Sequence, residues 1–147
     1  ALLICGEGLL RNEMKNFVKQ NDLKDVIFAG RVFRQDKRKY FNLCDVFVIP
    51  SKNEGFGLVI GEAMACAKPV VITNAWSAAE AVTNGEEGFL AEEENEQDWC
   101  QKLEKLILDE NLRQQMGQNG IKKTQIVFSW HKVIPQHERL FFKLAKK

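Results

Sequence analysis

Residues 50–71 read PSKNEGFGLVIGEAMACAKPVV. The apolar run before them, 46–49, predicts a short strand that enters a polar loop. The loop turns through Gly55 and Gly57 and opens a helix predicted over 58–67. Pro69 then starts the next strand, predicted over 70–73. A glycine-bearing loop that feeds a helix presents amide N–H groups without intrahelical acceptors, together with the positive end of the helix dipole. That combination suits a phosphate. Gly55 and Gly57 let the backbone approach a ligand closely, because no Cβ intervenes.

Two glutamates punctuate the unit, Glu54 in the loop and Glu62 in the helix. The helix is otherwise apolar almost all round, which predicts burial on several sides. Glu62 is therefore expected to be buried and to accept hydrogen bonds, since a buried unpartnered charge is costly. Ligand hydroxyls, an Arg or Lys, and backbone amides are all candidate donors. As bare carboxylates, the pair also fits a solvated loop acid and a structural ion-pair partner. An acid and nucleophile pair of a hydrolase is disfavoured. Such carboxyls flank one bond at roughly 5–9 Å, whereas Glu62 lies deep in a helix.

Outward from this stretch, short apolar strands alternate with helices. Strands are predicted at 2–5, 26–29, 46–49, 70–73 and 88–91, with amphipathic or charged helices at 9–21 and 35–43. Leu10, Met14, Phe17 and Val18 are expected on one face of the first helix, and Tyr40, Phe41 and Leu43 are expected to turn inward from the second. Ser77 is a candidate N-cap for a short helix through Val82, and Asn84-Gly85 is a turn. Helices follow at 95–108, at 111–127 with interruptions at Gly117 and Gly120, and at 129–146 with a kink at Pro135. The aromatic stripe of the last helix is read as packing rather than membrane contact. Continuously apolar strands alternating with helices predict an α/β fold, a Rossmann-type doubly wound parallel sheet with C-terminal helices. In such sheets ligands sit at the carboxyl ends of the strands. Gly6, Gly30 and the 51–57 loop are all predicted at such ends.

Composition narrows the class. The chain has 147 residues, 45% hydrophobic and 28% charged, as in an ordinary soluble domain. A net charge of +1 gives no general attraction to nucleic acid or anionic surfaces. No apolar run approaches the ~20 residues of a spanning helix, and no signal peptide is visible. Opening on ALLIC, inside a strand, the chain reads as part of something longer. Cys5, Cys44, Cys66 and Cys100 lack metal-ligand spacing and read as buried thiols in a reducing cytoplasm. His131 and His137 read as surface residues, and the basic end at Lys143, Lys146 and Lys147 as a solvated helix terminus. Gly6-x-Gly8 is a tight turn rather than a dinucleotide fingerprint, because Arg11 replaces the third glycine and Gly30 stands where an acid is expected. Arg31 is either a phosphate contact or a surface charge. No D-x-D is present to hold a metal on a diphosphate, so no metal is expected.

The 50–71 run closely resembles the signature of retaining glycosyltransferases of the GT-B fold, family four, also called glycosyl transferases group 1. VIFAGRV at 26–32, DVFVIPS at 45–51, NGEEGFL at 84–90 and FSW at 128–130 extend the resemblance along the chain. By that resemblance the chain is a nucleotide-sugar-binding domain, and the donor is a UDP-sugar. It would lack the first strand–helix unit, which carries the family's basic pair, and the N-terminal acceptor domain. Backbone at Val32 would meet the base, with Gly6 letting the nucleotide pass nearby. Glu62 would bind the ribose hydroxyls, and amides around Gly57 and Leu58 the diphosphate. Glu54, the candidate catalytic residue, would meet the donor sugar with Gly55 and Phe56. The implied reaction is sugar transfer with retention to a glycan or lipid-linked acceptor in cell-envelope, lipopolysaccharide or other polysaccharide synthesis. It needs no cofactor beyond the donor. The implied setting is cytoplasmic, with peripheral membrane contact an option for the whole enzyme; this chain alone would be inactive. The family's glycine pair after the fourth strand is replaced here by the segment Asn74-Ala75-Trp76-Ser77. A non-catalytic Rossmann-type binding module and a sugar-nucleotide epimerase are the alternatives.

Overall fold

A computed structural model describes residues 1–52, 57–75 and 80–145. The described chain forms two compact units, Ala1–Tyr40 and Phe41–Lys147.

In the first unit, β1 (Leu2–Cys5) pairs in parallel with β2 (Val26–Gly30), joined by α1 (Arg11–Gln20). The register runs from Leu2 opposite Val26 to Ile4 opposite Phe28, then slips so that Cys5 faces Gly30. The apolar face of α1 lies on one side as expected, and among the described residues nothing covers it. Leu10, Met14 and Phe17 are exposed and, with Ile4 and Phe28, border a groove of about 740 Å³. The amphipathic period is real, but the described residues supply too little apolar surface to close over it. Helix α2 (Lys37–Leu43) turns Phe41 into the core of the second unit, where its ring meets Phe47 edge-on at 5.3 Å. Tyr40 is half-buried, and Leu43, expected inward, faces solvent.

The second unit holds a parallel sheet ordered β3 (Phe47–Ile49), β4 (Val70–Thr73), β5 (Gly88–Ala91). The central strand β4 is buried throughout, as expected of a parallel strand covered on both faces. Its side chains alternate between two cores. Val70 and Ile72 join Phe41, Ile60, Met64 and Val82, whereas Val71 joins Ala91, Leu106 and Met116. Helix α3 (Leu58–Ala65) covers the first face. Leu106 of α4 (Glu96–Leu108) and Met116 of α5 (Glu110–Lys123) cover the second.

Helix α3 ends two residues earlier than expected. The Lys68 amide donates to Ala63 O and the Ala67 amide to Met64 O, with Ala67 in the left-handed region at φ 57°. This is a Schellman terminus, and Pro69 follows it. Helix α5, expected to break at its glycines, runs through both. Gly117 and Gly120 are buried against α3 and lie where side chains would keep the two helices apart. A π-helical turn (Thr124–Phe128) links α5 to α6 (Trp130–Ala145), and α6 continues through Pro135. The stripe of α6, read as packing, is exposed: Trp130, Ile134, Leu140, Phe141 and Leu144 face solvent. The Ser77 cap, Trp76, Lys146 and Lys147 lie outside the described residues. All four cysteines are free thiols; Cys5, at the end of β1, and Cys100, in the second turn of α4, are exposed rather than buried. His131 and His137 are exposed, as read from the sequence.

Candidate functional site

The second unit brings the end of β3 to the start of α3. Pro50, Ser51 and Lys52 leave the strand, and Gly57 caps the helix at φ 62° and ψ 53°. A Cβ at Gly57 would lie 2.7 Å from Ile60 Cδ1. The position therefore demands glycine for its backbone, and its cap supplies no side-chain hydrogen bond. The first amides of α3 thus carry the helix dipole toward the space beyond β3. Glu54, Gly55 and Phe56 lie outside the described residues.

Helix α3 is buried on one side only, through Ile60, Ala63 and Met64. Leu58 is 75% exposed. Glu62, one turn further on the same face, is exposed as well, which corrects the expectation that it is buried. An apolar helix composition does not bury every face when one face borders a crevice or solvent. Glu62 therefore bears little desolvation cost.

The first unit joins the other predicted glycines. The Gly6 amide donates to Gly30 O at 2.7 Å, closing the carboxyl ends of β1 and β2. Gly30, at φ 73°, leaves room for Glu7; a Cβ there would lie 2.9 Å from Glu7 Oε1. Glu7 Oε2 lies 3.3 Å from Arg11 Nε, an ion contact that leaves this buried nitrogen without a hydrogen bond among the described residues. Arg31 is exposed and Val32 half-buried.

Sequence reasoning missed a charged cluster at the carboxyl ends of β3, β4 and β5. Lys52 Nζ lies 3.1 Å from Glu93 Oε1 and also meets Glu94 Oε1. The Glu94 contact first, and Glu93 second, raise the Lys52 pKa; the Glu94 carboxyl is lowered by the same lysine. With Thr73 and Trp99 these residues border a cavity of about 460 Å³. No local sequence signal links Lys52 to partners 41 and 42 residues away. Among the described residues no three His, Cys, Asp or Glu side chains are grouped to hold a metal. Among the described residues no helix is long and apolar enough to cross a membrane.

Parallel strands, a glycine-capped helix after β3 and the two-glutamate spacing coincide with one family. Residues 1–123 match the family described as Glycosyl transferases group 1. The chain belongs to that family. It is 36% identical over 142 residues to an uncharacterized glycosyltransferase of Methanocaldococcus jannaschii, covering 97% of this chain and 40% of the relative. It is 38% identical over 150 residues to the capsular polysaccharide biosynthesis glycosyltransferase CapM of Staphylococcus aureus, covering 99% and 38%. Among solved structures, sucrose-phosphate synthase from Thermosynechococcus elongatus superposes with a TM-score of 0.87 at 27% identity, over 99% of this chain and 38% of that one. Anabaena HepE in complex with UDP and glucose gives 0.83 at 26% identity, over 99% and 40%. This group 1 transferase chain thus has the α/β, Rossmann-type fold of the C-terminal half of a GT-B glycosyltransferase. It spans about 40% of the length of these relatives.

Proposed function

We propose that the protein transfers a sugar, with retention, from a UDP-sugar to a glycan or lipid-linked acceptor in cell-envelope or polysaccharide biosynthesis, and that this chain is its donor-binding domain. The observation that carries the reading is the amino end of α3, capped by an obligatory glycine at the carboxyl end of a parallel strand, in a chain of this family. The leaving diphosphate gains negative charge as the glycosidic bond breaks, and oriented amides at Gly57 and Leu58 would stabilise it. The exposed position of Glu62, on the same face as Leu58, supports a role in gripping the ribose hydroxyls through charge-assisted hydrogen bonds. Glu54 would act on the donor sugar, with Gly55 and Phe56. Backbone at Val32, with Arg31 beside it in the chain and Gly6 bonded to Gly30, would receive the nucleotide.

The remaining length of the relatives would supply the acceptor site, and with it turnover. The UDP in the HepE complex and the polysaccharide role in the name of CapM support the donor and pathway class. No divalent metal is assigned a part, since no D-x-D stands ready to hold one.

The test is calorimetric titration of the full-length protein with UDP, followed by an assay for sugar transfer against epimerisation. Binding that weakens about 10- to 100-fold in Glu62→Ala is expected from the loss of hydrogen bonds to a charged acceptor. A wild-type protein that ignores UDP, or a Glu62→Ala variant of unchanged affinity, refutes the assignment. Epimerisation without transfer would move the protein to another class.

A further inference from the structure

We infer that Lys52 is a positioning residue, clamped by Glu93 and Glu94 so that the loop leaving β3 is braced against the loop leaving β5 and the amino end of α3 is fixed for its ligand. The inference rests on the donor-binding reading above for the identity of that ligand; the bracing itself does not.

The geometry is that of an adjustable arm on a rigid base. The base is the segment between β5 and α4, which is tied internally. Asn95 caps α4 by accepting from the Asp98 amide at 3.1 Å, and its Nδ2 donates to Glu92 Oε2 at 2.7 Å. The Glu92 amide donates to Asp98 Oδ2 at 2.7 Å, and Trp99 Nε1 donates to Glu92 O at 3.1 Å. Lys102 holds Asp98 in turn. Glu94 stands on this base at φ 58°, a left-handed conformation that disfavours a non-glycine residue. The hydrogen bonds on either side hold it there, and the two adjacent carboxylates converge on one ammonium.

The arm is Lys52. It lies three residues after Ile49, the end of β3, and five before Gly57, so its ammonium is the described side-chain tie between the helix-cap loop and the β5 side of the sheet. Each contact is solvent-exposed and individually weak. Two carboxylates on one ammonium, presented from a braced loop, lower the entropy that a free lysine would lose. Held loops favour ligand binding by reducing the ordering required at that step. The cavity bordered by Lys52, Thr73 and Trp99 leaves the clamp open to salt.

The experiment compares wild type, Lys52→Ala, Lys52→Arg, the Glu93→Gln/Glu94→Gln double variant and the swap Lys52→Glu/Glu94→Lys in the full-length protein. UDP titration should show Lys52→Ala and the double Gln variant weaker by about three- to tenfold, with Lys52→Arg near wild type and the swap partly restored. The donor KM should rise in the same proportion, with kcat unchanged. Without ligand, amide hydrogen exchange at 57–60 should quicken in Lys52→Ala and slow again in Lys52→Arg. Wild-type binding with an unaffected Lys52→Ala overturns the clamp. So does a loss in Lys52→Ala that the double Gln variant does not share, because the lysine would then act on the ligand directly. If wild type does not bind UDP, the donor reading fails, and the exchange rates alone decide the bracing: unchanged rates refute it.

Discussion

Gly117 packs directly onto the backbone of Ala67: a Cβ on the glycine would lie 2.3 Å from the Ala67 carbonyl oxygen and 2.9 Å from its carbonyl carbon. The contact joins the middle of α5 to the Schellman turn that ends α3. Because the obstacle is backbone, it cannot be relieved by a rotamer change.

Gly117→Ala is therefore expected to destabilise the protein although alanine is the better helix former by roughly 1 kcal/mol. Overpacking of this kind costs about 1–3 kcal/mol, and separation of α5 from α3 would also loosen Gly120 against Met64. Urea unfolding measures it; a variant as stable as wild type would show that the helices can slide.

Ala67→Gly should act in the opposite direction. Ala67 holds φ 57° at the position after the helix cap where glycine is favoured. Relief of about 1–2 kcal/mol of left-handed strain outweighs the roughly 0.5–1 kcal/mol of extra chain entropy that glycine loses on folding. A rise in Tm of a few degrees is expected.

Gly57→Ala separates stability from binding. The substituted residue would meet left-handed strain and Ile60 Cδ1 at 2.7 Å, together costing about 1–2 kcal/mol. The methyl would also sit at the mouth of the helix terminus. UDP affinity should therefore drop in Gly57→Ala beyond what the distant Gly85→Ala produces; Gly85 also has a positive φ, 89°, though a Cβ there meets nothing within 4 Å. Equal affinity in both variants would count against the α3 terminus as the diphosphate site.

Glu87 and Lys123 form an internal ion pair at 3.1 Å, with side chains 4% and 16% exposed. The Thr83 amide also donates to Glu87 at 2.7 Å, and Lys123 donates to Thr83 Oγ1 at 2.8 Å. Lys123→Met strands the carboxylate and should cost about 3 kcal/mol. Glu87→Gln in the same chain should recover part of that loss, read by urea unfolding as a non-additive cycle.

Acid should expose the Asp98 brace. The Lys102 ammonium first, and the Glu92 amide second, hold the Asp98 carboxyl below its ordinary value of 3.8. A carboxyl depressed in the folded state stabilises fully above its unfolded pKa and loses that stabilisation as the pH falls through its folded one. Asp98→Asn should thus be less stable than wild type at neutral pH. The gap should close as the pH falls from about 5 to below the ordinary carboxyl range, as thermal melts at each pH would show. A constant gap would mean that the carboxylate charge contributes nothing.

Most elements were legible in the sequence because each depends on local pattern. The strands at 2–5, 70–73 and 88–91 stand where predicted, since short apolar runs between turn residues have few alternatives. The helix start at Asn95 and the glycine at the start of α3 follow from local chemistry too. The errors share one cause. Glu62 and Leu43 are expected inward, and the stripe of α6 in packing, because apolar periodicity marks a face without saying what covers it. Propensity, being local, predicts breaks at Gly117 and Gly120, whereas their use is contact with α3 and the turn that ends it.

The order of residues 50–71 by itself determined the strand–loop–helix–strand unit, the glycine that caps the helix and, through the two-glutamate spacing, the family. Only the tertiary structure decided which face of α3 meets solvent and that Lys52 meets Glu93 and Glu94. It also decided that two glycines serve as a helix contact. Backbone propensity and hydrophobic period act over a few residues. Burial and charge pairing between residues tens of positions apart depend on which loops the sheet brings side by side.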